Sequence, residues 1–331
     1  MAQLAGVSIS TVSHVVNGTR PVADRTRARV LKAIEQTGYR QDTLARSLRR
    51  SRTDSIGLVV SDAGQPTFAD MVRGVEHEAA QAGYTLLLAN SGEDPARETR
   101  SVQALAARRV DGLIVAPAAR STGREAEVVQ RSGTPVVILD RLGDPGFGDQ
   151  VGVDNTAPMR ELVEHLLGHG HRSIALAAGN LAVPTMAERH RGYVQALEAA
   201  GIEPDPGLVL TGSGLAAQTR VLARRLLGDR RSRPEAVACA STETAVGVME
   251  AAAELGLRVP RDLKLAVFDG FPQSDLFEPR LTTVVQPAFD VGATAMVLLL
   301  RRVNGDIGED GRVIRLAPRI VYRASCGCNP R

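Results

Sequence analysis

The chain has 331 residues, of which 44% are hydrophobic and 23% charged, as is ordinary for a soluble globular protein of more than one domain. No apolar run reaches the ~18 residues that a membrane span requires, and no signal peptide precedes the first predicted helix, so we expect a cytoplasmic protein. The net charge of +3 is uneven: residues 1–53 carry ten basic and three acidic side chains, the remainder 30 and 34. A basic surplus at one end predicts nucleic-acid binding there.

Residues 2–18, AQLAGVSISTVSHVVNG, predict a helix-turn-helix. Gly6 supplies a left-handed turn after the end of a first helix, and Ser8 is placed to cap a second helix over about residues 9–16. Three valines on one face of that helix are expected to pack against Leu4 and Ala5. Its opposite face carries side chains suited to base edges in a major groove: Ile9, Ser10, Ser13, His14 and Asn17. The alternative is a small amphipathic hairpin with a solvated polar face.

A third helix and a basic linker follow. The helix is predicted from Asp24 to Thr37 and is closed by Gly38. In the segment 41–53, QDTLARSLRRSRT, Leu44 and Leu48 are four residues apart, a spacing that usually marks a packing face. Because the segment lies between a DNA reader and a large domain, it is interpreted as a linker that folds on DNA. The predicted domains are a headpiece over 1–40, a linker over 41–53 and a core over 54–331.

The core alternates short β-rich runs with helical stretches from residue 55 onward, which predicts parallel sheets covered on both faces. Two similar series predict two lobes with a ligand cleft beyond the carboxyl ends of the strands. We expect strand 282–286 and helix 287–304 to return to the first lobe, and residues 312–323 to end on the second. The predicted lobes are therefore 54–155 with 284–311, and 156–283 with 312–331.

The segments AGVSISTVSHVVNGTRPVADRTRARV and GYRQDTLARSLRR resemble the headpiece and hinge of the LacI/GalR family of bacterial regulators, and the resemblance continues over essentially the whole chain. The version VSHVVN is most similar to the purine-repressor-like members. The resemblance implies a helix-turn-helix headpiece on an α/β bilobed periplasmic-binding-protein-like core with three crossovers. It implies a homodimeric repressor of a palindromic operator in double-stranded DNA, controlled by a small-molecule effector, with the sign of the control left open.

The resemblance also assigns residues that contact DNA. Leu48 is the wedge that enters the minor groove, where an apolar side chain unstacks a base step and bends the duplex; an ordinary linker leucine is the alternative. The residues implied to face DNA are Ser8, Ile9, Ser10, Thr11, Ser13, His14, Asn17, Thr26, Ala45, Arg46 and Leu48.

The headpiece departs from the family pattern at two places. The family has a longer first helix before Ala2, and a single turn does not offset the cost of its own nucleation. We therefore expect that the true start of the protein lies upstream of Met1. Gln41 and Asp42 stand where proline and asparagine are usual. A carboxylate facing phosphates either weakens the hinge contact or makes Asp42 a helix N-cap.

The candidate effector residues follow predicted strand ends or match family positions. Arg189 matches the family arginine three residues before Gly192. Its planar guanidinium presents several N–H donors that can bind sugar hydroxyls, a carboxylate or a purine. The alternatives are structural: loop capping by the aspartates, pairing of Arg189 with an acidic neighbour, and core packing of the aromatic ring. The implied effector residues are Phe68, Asp140, Arg189, Ser241 and Asp269.

The effector class is predicted from departures at the same positions. Thr67 stands where purine repressors have an aromatic residue, so the second stacking ring is missing. Ser241 and Thr242 replace the usual Asn-Asp. These differences favour a carbohydrate over a purine.

Enzyme and metal signals are weak in the sequence. It contains no G-x-S-x-G, P-loop or dinucleotide fingerprint after a strand, so we predict no enzyme and no cofactor. His165 and His169 are interpreted as helix-end residues, and Cys239 as inert core. Cys326 and Cys328 form a C-x-C pair that binds metal or senses redox state in principle, but alone it is weak evidence, and no metal site is predicted.

Two competing functions remain open at this stage. One is a cytoplasmic small-molecule binding or sensor protein whose basic N-terminus is incidental. The other is a regulator switched by a partner protein instead of a ligand. No leucine-heptad tail follows Arg323, which favours a dimer over a tetramer.

Overall fold

The computed structural model describes residues 1–17, 20–38, 52–121, 124–131, 133–143, 148–271, 276, 278–306, 308 and 310–328. The chain divides into two compact units, Met1–Thr53 and Asp54–Arg331, at the position predicted for the end of the linker. The hinge residues predicted from the resemblance, Ala45, Arg46 and Leu48, lie outside the described residues, as do Gln41 and Asp42.

The described residues of the first unit form helices α1 (Ala2–Ala5), α2 (Ile9–Asn17) and α3 (Asp24–Thr37). The Oγ of Ser8 accepts a hydrogen bond of 3.1 Å from the backbone N–H of Thr11, which confirms the predicted cap. Gly6 adopts the predicted left-handed conformation, with φ of 59°. Leu4 is 58% exposed, so its predicted packing was wrong. The small core is instead completed from α3, because Ala5 and Val12 are buried against Val30 and Ala33.

The first lobe of the second unit is built on a fully parallel six-stranded sheet of order β11-β5-β4-β3-β1-β2. Its strands are β1 (Ser55–Val60), β2 (Thr85–Asn90), β3 (Gly112–Val115), β4 (Val136–Leu139), β5 (Asp149–Val153) and β11 (Val313–Leu316). The helices packed on it are α4 (Pro66–Gln81), α5 (Pro95–Ala107), α6 (Arg124–Arg131) and α11 (Ala288–Asn304).

The second lobe has a sheet of order β12-β10-β9-β8-β6-β7, in which only β12 is antiparallel to its neighbour. Its strands are β6 (Ile174–Gly179), β7 (Val209–Thr211), β8 (Ala236–Cys239), β9 (Lys264–Phe268), β10 (Thr282–Val285) and β12 (Arg319–Val321). Its helices are α7 (Thr156–Gly168), α8 (Pro184–Ala199), α9 (Ala216–Gly228) and α10 (Thr242–Glu254), with 3-10 turns at Pro206–Leu208 and Ala324–Cys326.

Each sheet is covered on both faces, which explains the continuous apolar strands. Ile56 and Leu58 of β1 pack with residues of α4 and α11, whereas Val59, the residue after Leu58, packs with residues of α5 and α6. A strand buried on both sides reads as an uninterrupted apolar run because successive side chains point to opposite faces. Among the described residues, no helix is both long and apolar enough to span a membrane.

The chain crosses between the lobes after β5, after β10 and after β11, so three crossovers are present as predicted. The predicted allocation of the late segments was correct for the helix, which packs on the first lobe, and for residues 319–321, which join the second sheet, but it was wrong for two strands. Residues 282–285 pair with β9 in the second sheet, and residues 313–316 pair with β5 in the first. A strand of four residues can join either sheet, and its partner is chosen by long-range pairing that sequence periodicity does not encode.

Candidate DNA-binding surface and effector cleft

The start of α2 forms the candidate DNA-reading surface. Ile9 is 80% exposed and does not belong to the small core of the first unit. Ser8 and Ser10 are also exposed, and their Oγ atoms lie 2.8 Å apart. Thr11, Ser13 and His14 are half-buried on the following turn, and Thr26 is half-buried in the first turn of α3. The side chain of Asn17 lies outside the described residues.

A cavity of about 480 Å³ opens between the two lobes of the second unit, at the carboxyl ends of both sheets. Its size is that of a small-molecule site. The first lobe contributes the polar side chains of Asp62, Gln65, Glu93 and Arg141. The second lobe contributes those of Asn180, Ser213, Ser241 and Glu243. A molecule in this cavity would therefore touch both lobes.

Arg141 and Glu93 form a bidentate ion pair at one wall of the cavity. The Nη1 of Arg141 lies 2.8 Å from Glu93 Oε2 and its Nη2 lies 2.5 Å from Oε1, while Nη1 also donates to the carbonyl oxygen of Pro117 at 2.9 Å. Burial raises the pKa of Glu93, but the hydrogen bonds and charge of Arg141, together with the hydrogen bond from the Ala119 N–H, outweigh burial and hold that pKa below its ordinary value. Sequence reasoning missed both residues, although Arg141 directly follows the predicted Asp140.

Arg189 and Asp269, two of the predicted effector residues, contact each other. Arg189 Nη1 donates to Asp269 Oδ2 at 3.1 Å, Nη1 also donates to the carbonyl oxygen of Ala240 at 2.6 Å, and Nε donates to Asn155 Oδ1 at 2.9 Å. The guanidinium carbon lies 3.7 Å from the ring centroid of Phe268, and only 2% of the residue is exposed. The pairing between Arg189 and an acidic residue, left open by the sequence, is therefore present.

Asp140 joins this group electrostatically. It directly follows β4, is 8% exposed and has a left-handed φ of 64°. Burial raises the pKa of its carboxyl above the ordinary value. The negative charges of Asp269 and Glu93 raise that pKa further, while the positive charges of Arg141 and Arg189 lower it. The ends of β4 and β9, together with helix α8, thus bring Asp140, Asp269 and Arg189 close enough to influence one another's charge.

Ser241 and Phe68 have clear structural partners. Ser241 caps α10: its Oγ accepts from the Thr244 N–H at 3.2 Å, and its own N–H donates to Thr244 Oγ1 at 3.0 Å. The residue also lines the cavity. Phe68 is 4% exposed within the core of the first lobe, and its ring centroid lies 6.0 Å from the guanidinium carbon of Arg141. Phe68 is therefore a core residue of the first lobe, which is the structural alternative given for it in the sequence analysis.

A hydrogen-bonded chain connects the buried arginine with the crossovers. The Nδ2 of Asn155 donates to Glu188 Oε2 at 2.9 Å. Glu188, on α8 of the second lobe, receives Arg315 Nη2 at 2.9 Å and Nη1 at 3.2 Å from β11 of the first lobe. On the other side, the Nε2 of Gln286, between β10 and α11, donates to Asp269 Oδ1. Arg189 and Asp269 are therefore hydrogen-bonded to residues of two of the three crossover segments.

Comparison with known proteins decides the family. The family model "Bacterial regulatory proteins, lacI family" matches residues 1–42, and "Periplasmic binding protein-like domain" matches residues 163–326. The chain is 34% identical over 326 residues to the HTH-type transcriptional repressor PurR of Vibrio atlanticus (strain LGP32), an alignment covering 98% of this chain and 97% of that protein. The chain belongs to the lacI family. A PurR of Yersinia pestis (strain Pestoides F) is 36% identical over 339 positions, covering 100% and 96%.

Solved structures agree with the assignment to the lacI family. The lac repressor dimer bound to operator and the anti-inducer ONPF matches with a TM-score of 0.86 at 27% identity, covering 98% of this chain and 97% of that one. The complex of the transcriptional regulator CelR with cellobiose matches with a TM-score of 0.75 at 30% identity, covering 98% of each. The resemblance found in the sequence is confirmed, and this lacI-family protein is a DNA-binding transcription regulator and not an enzyme.

Proposed function

We propose that this lacI-family protein is a cytoplasmic repressor that binds a palindromic operator as a homodimer under the control of a small molecule in the inter-lobe cleft. The observation that carries the proposal is the presence, in one chain, of an exposed helix edge at Ile9 and a polar cavity shared by two lobes. One headpiece reads one half-site, so a two-fold protein matches a palindrome.

A carbohydrate is the proposed effector. None of the described residues that line the cavity is aromatic, so no ring is offered for stacking on a purine. Carboxylates, amides and a guanidinium are instead arranged on both walls, and these groups accept from or donate to the hydroxyls of a sugar. The proposed polar contacts are Glu93 and Arg141 on one side and Asn180 and Glu243 on the other.

The proposed switch uses the crossovers. An effector that touches both lobes stabilises one relative position of the lobes, and Asn155 and Gln286 transmit that position to two of the three connecting segments. The effector changes operator affinity only by its differential affinity for the two states, and the operator changes effector affinity by the same factor. An inducer and a co-repressor differ in the sign of this coupling.

Calorimetry on the full chain tests the effector class. A panel of sugars and sugar phosphates is titrated beside hypoxanthine and guanine, with wild type and Glu93→Gln. We expect one sugar to bind with one site per chain. Loss of a charge-assisted contact should cost about 1.5–3 kcal/mol, which weakens binding by about 10- to 150-fold. Heat with purines alone contradicts the carbohydrate class, and no heat at all favours a regulator switched by a partner protein.

Selection from a pool of random duplexes tests the DNA side. We expect enrichment of a palindrome with a flexible pyrimidine–purine step at its centre. Binding that only follows salt concentration, with no enriched sequence, would contradict operator recognition.

A further inference from the structure

Two cysteines and a histidine converge on the second lobe, at the amino-terminal ends of its strands and therefore opposite the cleft. The Nε2 of His165 lies 3.3 Å from the Sγ of Cys326, and the Sγ of Cys328 lies 2.6 Å from that of Cys326. All three ligand atoms lie within 4.8 Å of one another. Among the described residues, this is the one group of three or more histidine, cysteine or acidic side chains close enough together to share a metal ion.

The backbone holds the two cysteines in this position. Cys326 ends the 3-10 turn, and the left-handed Gly327, with φ of 84°, folds the chain so that Cys328 returns to the same side. The turn is fixed to the second sheet through Ser325, whose Oγ donates to the carbonyl oxygen of Leu265 at 2.7 Å and accepts from the N–H of Thr282 at 2.8 Å. The thiols are therefore pre-positioned without a metal.

The histidine is also held. His165 lies in the last turn of α7, and its ring centroid is 4.3 Å from that of Tyr322 and 4.4 Å from that of His169. Cys326 is fully buried, while His165 and Cys328 are half-buried, so an ion reaches the group from the solvent side. A ligand group with restrained rotamers loses little entropy on binding.

The distances suit a tetrahedral ion with sulfur and nitrogen ligands. Bonds of about 2.3 Å to sulfur and about 2.0 Å to nitrogen place sulfur about 3.5 Å from nitrogen and two sulfurs about 3.8 Å apart. The His165–Cys326 separation of 3.3 Å is close to that value. The two sulfurs need to open from 2.6 Å by about 1.2 Å, which rotation of the half-buried Cys328 side chain supplies.

We infer that His165, Cys326 and Cys328 form a binding site for a thiophilic d¹⁰ cation, Zn²⁺ or Cu⁺. Thiolate and imidazole ligands select these ions over Mg²⁺ and Ca²⁺, which require oxygen. Both thiols bind as thiolates, so two protons pass to solvent as the ion enters. Zn²⁺ takes a fourth ligand from water or from His169, which lies one helical turn from His165; Cu⁺ needs none.

Such an ion would join the end of the chain to α7 across a sequence separation of 161 residues. Thr282, which donates to Cys326 Sγ at 3.1 Å, lies at the amino-terminal end of β10. Asp269 follows the carboxyl end of the adjacent parallel strand β9, so the two residues lie at opposite ends of the sheet. The site is thus separate from the effector cleft. Its expected effect is an increase in the Tm of the second unit, because binding to the native state alone stabilises that state.

Metal titration of the full chain tests the inference. The protein is first reduced with a phosphine and freed of metal with a chelator. It is then titrated with Zn²⁺ and, in a parallel experiment, with Cu⁺, each against a chromophoric competitor. Co²⁺ serves as the spectroscopic probe. We expect one ion per chain, a thiolate-to-cobalt charge-transfer band and a higher Tm. Cys328→Ser and His165→Gln should each weaken binding by more than about tenfold. His77→Gln, an exposed helical histidine of the first lobe, is the matched control and should bind as wild type.

Three results would overturn the inference. Reduced wild type that binds neither ion excludes the site, and equal binding by Cys328→Ser, His165→Gln and wild type places the ion elsewhere. A disulfide between Cys326 and Cys328 in protein that binds no metal when reduced identifies a redox pair instead. If the variants fail to fold, alkylation of wild type decides: bound metal should slow alkylation of Cys328, and unchanged alkylation contradicts the site.

Discussion

The ion pair between Glu188 and Arg315 offers the sharpest test of communication between the lobes. It joins α8 of the second lobe to β11 of the first through two hydrogen bonds of 2.9 and 3.2 Å. Glu188→Gln removes the charge but keeps a side-chain oxygen that still accepts from Asn155. The pair therefore weakens, while the hydrogen bond toward the buried Arg189 persists.

The magnitude follows from the exposure of the two side chains, 39% for Arg315 and 17% for Glu188. Fully exposed pairs contribute about 0.2–1 kcal/mol, and buried charge-assisted hydrogen bonds about 1.5–3 kcal/mol. A partly screened, two-pronged pair should contribute about 1 kcal/mol, which changes the equilibrium between lobe positions about fivefold. The free energy of unfolding of the second unit should fall by a similar amount.

Urea unfolding and effector titration of wild type and Glu188→Gln measure both quantities. Asp70→Asn is the matched control: it removes the charge from a pair of 2.7 Å with Arg73, but both partners lie on α4 and are 49% and 70% exposed. The control should change stability by less than about 0.5 kcal/mol and leave apparent effector affinity unaltered. Equal effects in the two variants, or none in Glu188→Gln at low salt, would refute the reasoning.

Three further predictions concern the headpiece, the helix packing and the cleft. Ile9→Ala should weaken operator binding by about 1–3 kcal/mol in fluorescence anisotropy without loss of helicity, because the side chain is 80% exposed; Leu31→Ala, 51% exposed on α3, should bind nearly as wild type. Gly292→Ala should destabilise the second unit by about 1–3 kcal/mol in urea unfolding, since its Cβ would lie 2.0 Å from a backbone oxygen of α4. Gly168→Ala, which meets open space, should be neutral or stabilising by up to about 1 kcal/mol; equal losses would contradict the packing argument. Burial raises the pKa of the Asp140 carboxyl in the native state above the ordinary value of 3.8. The contribution of the protonated carboxyl to the free energy of unfolding is therefore complete below pH 3.8 and is lost as the pH rises through the higher pKa of the native state. Asp140→Asn should therefore become more stable than wild type as the pH approaches neutrality. Parallel profiles of the free energy of unfolding against pH for the two proteins would contradict this prediction.

Local signals in the sequence determined most of the elements. The span predicted for α3 coincides with that observed, Asp24–Thr37, and the first strand of the core begins at residue 55 as predicted. Capping at Ser8 and the left-handed turn at Gly6 were also predicted. Each of these features depends on residues within a few positions of one another, so a short stretch of sequence contains all the information required.

Contacts between distant residues were decided by the tertiary structure. The sequence located Asp140, Arg189 and Asp269 at plausible positions, but their proximity depends on the end of β4 in the first sheet, the end of β9 in the second sheet and helix α8, which only the folded core brings together. The ion pair of Arg141 with Glu93, 48 residues apart, had no sequence signal beyond its charge.

Sheet membership and the cysteine–histidine cluster were decided in the same way. Residues 282–285 carry the apolar pattern of a strand for either lobe, and pairing with β9 selected the second. The C-x-C pair was weak evidence by itself until His165, 161 residues earlier, was placed beside it. Periodicity and capping specify the conformation of a segment, whereas the partner of that segment is set by which surfaces bury together, a property of the whole chain.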